Sequence, residues 1–263
     1  MTYSPVVPFG GLAGWQFLQR TRSAQMKAFV ASGSTTRNTD YFRENISKIQ
    51  SVGQLMDDRK LLTVALGAFG LEEDINNRAF IREVLMSKTN GERSLASRLS
   101  DKRYLELAKT FGFGDVSPPN TVLSDFGSKI VERYNTQAFE VAIGGIDPNL
   151  RLAASLEREI GAVVAKGASE KANWFHVLGN PALREVFLGA MQLPKSIASM
   201  DIDRQAEVMM EKATRIFGSS ELSEFTESDQ REKLTRLFLL RADLSPSSNA
   251  VSGGSVALAI LAG

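Results

Sequence analysis

The sequence predicts an all-α protein, one or more helical bundles arranged as two related halves from an internal duplication. Three observations carry that expectation. Apolar residues recur at helical spacing along most of the 263 residues, and helix start and stop signals fall at the ends of those runs. Nearly the same hexapeptide also occurs twice, LGAFGL at Leu66 to Leu71 and LGAMQL at Leu188 to Leu193.

Residues 1–10 contain Pro and Gly without a period and are expected to form a flexible N-terminus. GGLAG (Gly10 to Gly14) has the spacing of a small-residue dimer motif, but only a membrane span would make it one. DYFRENISKIQ then places Phe42, Ile46 and Ile49 on one helix face, and DRKLLTVALGAFGL does the same with Leu61, Val64, Ala65, Ala68 and Phe69. FIREVLMS and KRYLELAKTF repeat the pattern, and Gly112 stands just past the second as a helix stop. These helices make a first half, residues 11–112. Pro118-Pro119 cannot continue a helix, so residues 113–121 read as a linker.

The second half covers residues 122–244. AFEVAIGG alternates like a strand at Phe139, Val141 and Ile143, but it continues a helix-like run from Lys129 and is expected to be helical. Asp147-Pro148 and Asn180-Pro181 each combine a side-chain acceptor with a proline suited to the first helical turn. NLRLAASLEREIGAVVAKG, RQAEVMMEKATRIF and REKLTRLFLLR follow the helical period, with Gly218 as a stop. Ten to thirteen helices are expected in all. From Ser245 the chain turns polar, and residues 245–263 read as a flexible tail with an apolar end.

A shift of 122 positions lays Leu61, Val64, Leu66, Gly67, Ala68 and Leu71 on Leu183, Val186, Leu188, Gly189, Ala190 and Leu193. Further on, REVLM from Arg82 meets AEVMM from Ala206, and LAKTFGF from Leu107 meets LTRLFLL from Leu234. Helical periodicity alone produces some such matches, but three segments in the same order favour duplication. Glycine inside a helix costs about 0.8–1 kcal/mol against alanine. Its recurrence at Gly67 and Gly189 is therefore expected to mark helix packing, with another backbone approaching the bare Cα.

Chemistry-bearing patterns are few. Lys+Arg 31 against Asp+Glu 30 leaves a net charge of +1, with no basic stripe for nucleic acid. Cysteine is absent, which removes disulfides, thiolate nucleophiles and cysteine-based zinc sites. His176, the only histidine, sits in NWFHVLGN among apolar neighbours, where packing or a surface hydrogen bond is its expected role. DID (Asp201 to Asp203) reads as an N-cap and EED (Glu72 to Asp74) as a solvated turn. Gly112 and Gly114 lack the third glycine of a dinucleotide fingerprint, and Ser117 stands in its place. No catalytic residue, metal, cofactor or small-molecule substrate is expected.

The opening residues lack the charged and apolar regions of a cleaved signal, and the longest apolar run, Val256 to Ala262, is far short of the roughly 20 residues of a membrane helix. Within that run Val256, Leu258, Ile260 and Leu261 are the expected partner-docking residues, behind a spacer of Ser, Gly, Pro and Asn.

The phrases YFRENI, DDRKLLTVALGAFGLEEDINNRAFIREVL, LSDKRYLELAKTFGFGD, FEVAIGGIDPNLRLA, WFHVLGNPALREVFLGAMQLP and DIDRQAEVMMEKATRIFG fall between Tyr41 and Gly218, within a likeness that runs from about Gly11 to Leu244. Together they resemble an alphaproteobacterial family of unknown function whose members are often encoded among flagellar genes. The resemblance implies a non-enzymatic helical protein of flagellar structure or assembly, partnered by a flagellar or export-apparatus protein or by itself. It is then expected in the cytoplasm or at the flagellum. Two other readings stand beside it: an export chaperone or adaptor holding a flagellar substrate, and an enzyme working with carboxylates alone.

Overall fold

Side-chain caps start several of the helices that the periodicity anticipates. Asp58 accepts from the amides of Lys60 and Leu61, Asp147 from Asn149 and Leu150, Asn180 from Ala182 and Leu183, and Asp201 from Arg204. In the computed structural model, which describes residues 3–91 and 94–244, thirteen α-helices make the fold, and no strand occurs among the described residues. They are α1 (Gly11–Val30), α2 (Gly33–Asn45), α3 (Val52–Asp57), α4 (Arg59–Gly67), α5 (Arg78–Met86), α6 (Leu95–Arg98) and α7 (Arg103–Phe111). After the proline-containing connection come α8 (Phe126–Gly144), α9 (Pro148–Val164), α10 (Glu170–Gly179), α11 (Pro181–Met191), α12 (Ile202–Phe217) and α13 (Ser228–Asp243). The alternating stretch at Phe139 lies inside α8, as its run from Lys129 requires.

Two apolar cores form, and their division differs from the halves expected along the chain. The first gathers Phe42, Leu61, Phe69, Ile81, Leu107 and Phe111 with Phe126, Ile130 and Val131 from the start of α8. The second gathers Leu150, Trp174, Phe187, Ala206 and Leu234 with Phe139 and Ile143 from the end of α8. The boundary thus runs through one continuous helix instead of the linker at 113–121. Moreover α1, assigned by position to the first half, packs in the second core through Trp15, Leu18 and Phe29, the last meeting Phe139 edge-on at 5.6 Å.

The segment around Val6 is also more ordered than the composition of residues 1–10 suggests. Gln25, buried on α1, donates to the carbonyl of Val6 (2.9 Å) and accepts from its amide (2.7 Å), pinning residues around Val6 to the helix. A buried amide paired on both sides avoids the cost of an unsatisfied polar group.

The repeated hexapeptide is a helix ending. The amide of Leu71 closes back on the carbonyl of Leu66 at 3.0 Å, and the amide of Leu193 on that of Leu188 at 3.0 Å. Gly70 takes the left-handed conformation in the first turn (φ 68°) and Gln192 takes it in the second (φ 53°), at equivalent positions. Such six-to-one closures satisfy carbonyls that a helix end leaves unpaired. The capping residues correspond as well, Asp58 with Asn180. Around the repeat, α3 packs on α4 and α5 as α10 packs on α11 and α12. Further along the elements part: α5 has 9 residues and α12 has 16, and α13 packs closely on α11 whereas its counterpart α7 packs on α5 instead of α4.

Candidate interaction surface

Where the two cores meet, an open cleft of about 300 Å³ lies between α7, α8 and α9, with Arg103, Glu106, Arg133, Arg158 and Glu159 along its walls. These five charges are engaged with each other, with neighbouring side chains or with the backbone. Arg133 lies over the Phe69 ring at 4.0 Å while donating to the Ala68 carbonyl (2.6 Å) and to Glu106 (2.7 Å). Burial raises the Glu106 carboxyl, but the hydrogen bond and charge of Arg133 outweigh it and hold the group below the usual carboxylate range. Arg158 bridges Glu140 and Glu159, each at 2.6 Å, and Glu159 accepts from Asn180 at 2.6 Å. With its amide turned to satisfy both ends, Gln137 also accepts from Arg158, at 3.0 and 3.2 Å.

Glu140 is the deepest of these groups, with its side chain 2% exposed. Burial pushes its carboxyl up, and Arg158 together with Arg22, 3.9 Å away, only partly offsets this. The network ties α1, α8 and α9 to the cap of α11. In physical terms it is a brace.

A different kind of surface forms where the N-terminal segment, the α8–α9 corner and the end of α13 converge. Asp147 caps α9 with one carboxylate oxygen and accepts a long bond (3.4 Å) from the Gly11 amide with the other. Gly11 has φ +58°, and a Cβ there would collide with the carboxylate of Asp243. Burial raises the Asp243 carboxyl, and the nearby Asp147 adds to that. Around this tight meeting point stand exposed apolar side chains: Phe9 at 63%, Ile146 at 42%, Leu240 at 39% and Leu244 at 82%. Leu240 lies three residues before Asp243 and four before Leu244, the cap residue of α13, so it neighbours each of them by helical spacing. Single exposed apolar residues are ordinary, whereas several around one point make a candidate interaction surface.

A second group, Met86, Leu95 and Val116, is exposed around the contact where Gly114 abuts the carbonyls of Met86 and Ser87. It belongs to the first core's side of the molecule.

Of the residues flagged in the sequence, Gly67 and Gly189 are in packed positions, but an aromatic ring approaches them and not another helix's backbone. A Cβ on Gly67 would stand 2.7 Å from the Tyr134 ring, and one on Gly189 would stand 2.9 Å from the Phe238 ring. Val256, Leu258, Ile260 and Leu261 lie outside the described residues. His176 is partly buried on α10, and burial, then Lys166 and Lys102, lower its pKa. Asp201 caps α12, and Asp203 pairs with Lys171 at 2.8 Å. In the EED stretch Asp74 accepts from the Tyr104 hydroxyl at 2.6 Å; burial and that bond push the Tyr104 pKa up to about 12. Among the described residues no group of three His, Asp or Glu side chains is placed to hold a metal, and no helix is long and apolar enough to cross a membrane.

Sequence reasoning missed the surface at Phe9, Ile146, Leu240 and Leu244. Each is one apolar residue in an unremarkable context, and only the fold brings positions so distant in the chain together.

The class so defined is an all-helical protein with two apolar cores sharing one helix. The chain belongs to the family described as "Protein of unknown function (DUF1217)", whose model matches residues 68–230. A protein from Agrobacterium tumefaciens, solved by crystallography as a structural-genomics target, has a similar fold. It is 24% identical, with a TM-score of 0.73 over 92% of this chain and 98% of that one. No curated protein matches the chain.

Proposed function

We propose that this is a non-enzymatic helical protein of the bacterial flagellar system that acts by protein–protein contact, with the surface around Phe9, Ile146, Leu240 and Leu244 as a docking face. The carrying observation is that these exposed apolar residues all lie within a few residues of the point where Gly11 meets Asp147 and Asp243. The flagellar assignment rests on the resemblance of the phrases between Gly11 and Leu244 to a family often encoded among flagellar genes. The cleft between the cores supports a non-catalytic reading, because two of its three carboxylates, Glu106 and Glu159, are held by Arg133, Arg158 and Asn180, and the third, Glu132, is exposed to solvent.

The test is capture from flagellar basal-body fractions with the full chain and with a Phe9→Asp/Leu244→Asp variant. Specific recovery of a flagellar component by the full chain, lost in the variant at unchanged helicity, is the expected result. Equal recovery by both removes the docking face. Recovery of no flagellar component removes the assignment to that system.

A further inference from the structure

Charge is distributed unevenly where the two cores meet. Four arginines and four carboxylates balance one another there: Arg22 and Arg158 on Glu140, Arg158 also on Glu159, Arg133 on Glu106 and Arg103 on Asp101. Lys129 and Glu132, the other charged residues of the cleft walls, are opposite in sign and one turn apart on α8. Three lysines remain. Lys102, Glu106 and Lys109 follow one another at helical spacing along α7 and its cap, which puts them on one face. Glu159, Ala162 and Lys166, the last just past the end of α9, do the same. Because Glu106, Glu159 and Ala162 line the cleft, the lysines flank it from both sides, and all three are exposed.

The lysine ion pairs of the described residues belong to Lys129 and Lys171. Lys102 donates to the carbonyls of Ser97 and Leu99, both at 2.8 Å, and so meets no opposite charge. Burial lowers the Lys166 pKa; Glu106 and Glu159 oppose this, and the like charges of Lys109 and Lys102 add to it. His176 on α10 faces the same group, with burial, then Lys166 and Lys102, lowering its pKa. An anion set among these groups relieves their mutual repulsion.

We propose that this rim is a second docking surface, which receives an acidic segment of a partner protein with Glu or Asp side chains laid across Lys102, Lys109 and Lys166. It uses none of the residues of the apolar face and does not depend on it.

The chemistry of the cations selects the occupant. Lysine is a compact point charge on a flexible stem, without the fork that arginine offers a phosphate. The arginines nearby, which have that fork, are already engaged. A small phosphate would meet dispersed single charges and no enclosing cradle, whereas carboxylates spaced along a peptide can meet the three ammonium groups in turn. Nucleic acid is disfavoured by a net charge of +1 and by three cations in place of a basic stripe. Helix α7 buries Leu107 and Phe111 in the first core and α9 buries Leu156 and Ile160 in the second, so such a segment spans both. Exposed charge pairs contribute more to encounter rate and specificity than to affinity, so the contact is expected to be weak and salt-sensitive.

The test is fluorescence anisotropy with a labelled oligoglutamate peptide as the probe. The parent chain should bind it at low salt, and added salt should weaken binding. Lys109→Gln and Lys166→Gln should each weaken it, and the double variant should do so several-fold, at unchanged helicity. Lys27→Gln/Lys48→Gln, an equal loss of charge at exposed positions elsewhere, should bind like the parent. So should Lys109→Arg/Lys166→Arg, which keeps both charges. No binding by the parent, or equal binding by the Lys109→Gln/Lys166→Gln variant, overturns the proposal. An equal loss in the Lys27→Gln/Lys48→Gln control also overturns it, because the attraction is then not local. A loss confined to one of the two single variants overturns a docking that spans both cores. A single-stranded oligonucleotide of the same charge that binds more tightly, and loses binding in the same double variant, makes nucleic acid the occupant and overturns the acidic segment.

Discussion

Gly67 and Gly189 each leave room for a ring. Substituting leucine at Gly67, the last residue of α4, should gain at most the roughly 0.8–1 kcal/mol of helix propensity that an interior site would give, and lose more by driving a side chain into Tyr134, whose ring already stands 2.7 Å from the position of a first Cβ. The expected net cost is about 1–3 kcal/mol, read from the shift in urea midpoint. A Gly67→Leu variant that melts above wild type would show that the glycine has no packing role. The sequence could flag these glycines because both fall within helical runs, although the fold places Gly67 at the last residue of α4 and Gly189 two residues before the end of α11. It could not name the ring, since Tyr134 reaches Gly67 only through the placement of α8. The buried pair beside the cleft allows a sharper comparison. Removing Arg158 leaves the enclosed Glu140 with Arg22 alone, at 3.9 Å, whereas removing the charge of Glu140 leaves Arg158 paired with Glu159 at 2.6 Å. Arg158→Met should therefore cost about 3–5 kcal/mol, as breaking a buried pair does. Glu140→Gln should cost no more than the roughly 1.5–3 kcal/mol of a lost charged hydrogen bond. Burial raises the Glu140 carboxyl, so its ionised form opposes folding increasingly as pH rises from the ordinary carboxylate range through its folded pKa. The deficit of Arg158→Met should then shrink on acidification as Glu140 takes up a proton. Equal costs for the two variants, measured by chemical denaturation at neutral pH, would contradict this account.

At the level of elements, legibility followed capping and period. The helices starting at Asp58, Asp147, Asn180 and Asp201 were readable because each has its acceptor in place, and α7 and α12 end at Gly112 and Gly218 in the left-handed conformation. Helix α1 was not singled out by pattern. Its core positions Trp15, Leu18 and Phe29 are interrupted by the buried Gln25, a polar residue whose place inside depends on the backbone of Val6. The two corresponding caps, Asp58 and Asn180, differ in charge, which gives a prediction. Loss of either cap should cost about 0.5–2 kcal/mol at neutral pH. Burial raises the Asp58 carboxyl, but the Tyr41 hydroxyl at 2.7 Å and the amides of Leu61 and Lys60 outweigh it and hold the pKa below the ordinary value. A depressed carboxylate contributes stability that is full above the unfolded pKa, about 3.9, and is lost as pH falls through the folded one. The cost of Asp58→Ala should accordingly diminish below about pH 4, while that of Asn180→Ala, a neutral cap, stays level. Parallel pH dependences for the two variants in thermal or urea unfolding would show that the carboxylate form of Asp58 is not what caps α4.

The molecule as a whole is joined by elements that serve both cores, which the order of residues along the chain concealed. Proline at 118 and 119 marks a real break between α7 and α8, but a break in the backbone path is not a break in packing. Helix α8 buries Phe126, Ile130 and Val131 in the first core and Phe139 and Ile143 in the second, and α1 belongs to the second core although α2 belongs to the first. Arg151 on α9 also pairs with Glu72, which precedes α5, at 3.7 Å. If the first core unfolds, the start of α8 loses its packing and the rest of that helix must hold itself against solvent, which short isolated helices do poorly. The two cores should therefore unfold together. The positions of the tryptophans make this measurable, because Trp15 and Trp174 both lie in the second core and report on it alone. Phe111 lies in the first core, fully enclosed, with ring contacts to Phe69, Phe113 and Phe126. Phe111→Ala should remove about 3–5 kcal/mol. If α8 couples the cores, that loss appears in full as a lower denaturant midpoint for tryptophan fluorescence, coincident with the midpoint from circular dichroism. A tryptophan transition left where it was, beside a biphasic loss of helicity, would mean that the cores are independent units and that α8 connects them without transmitting stability.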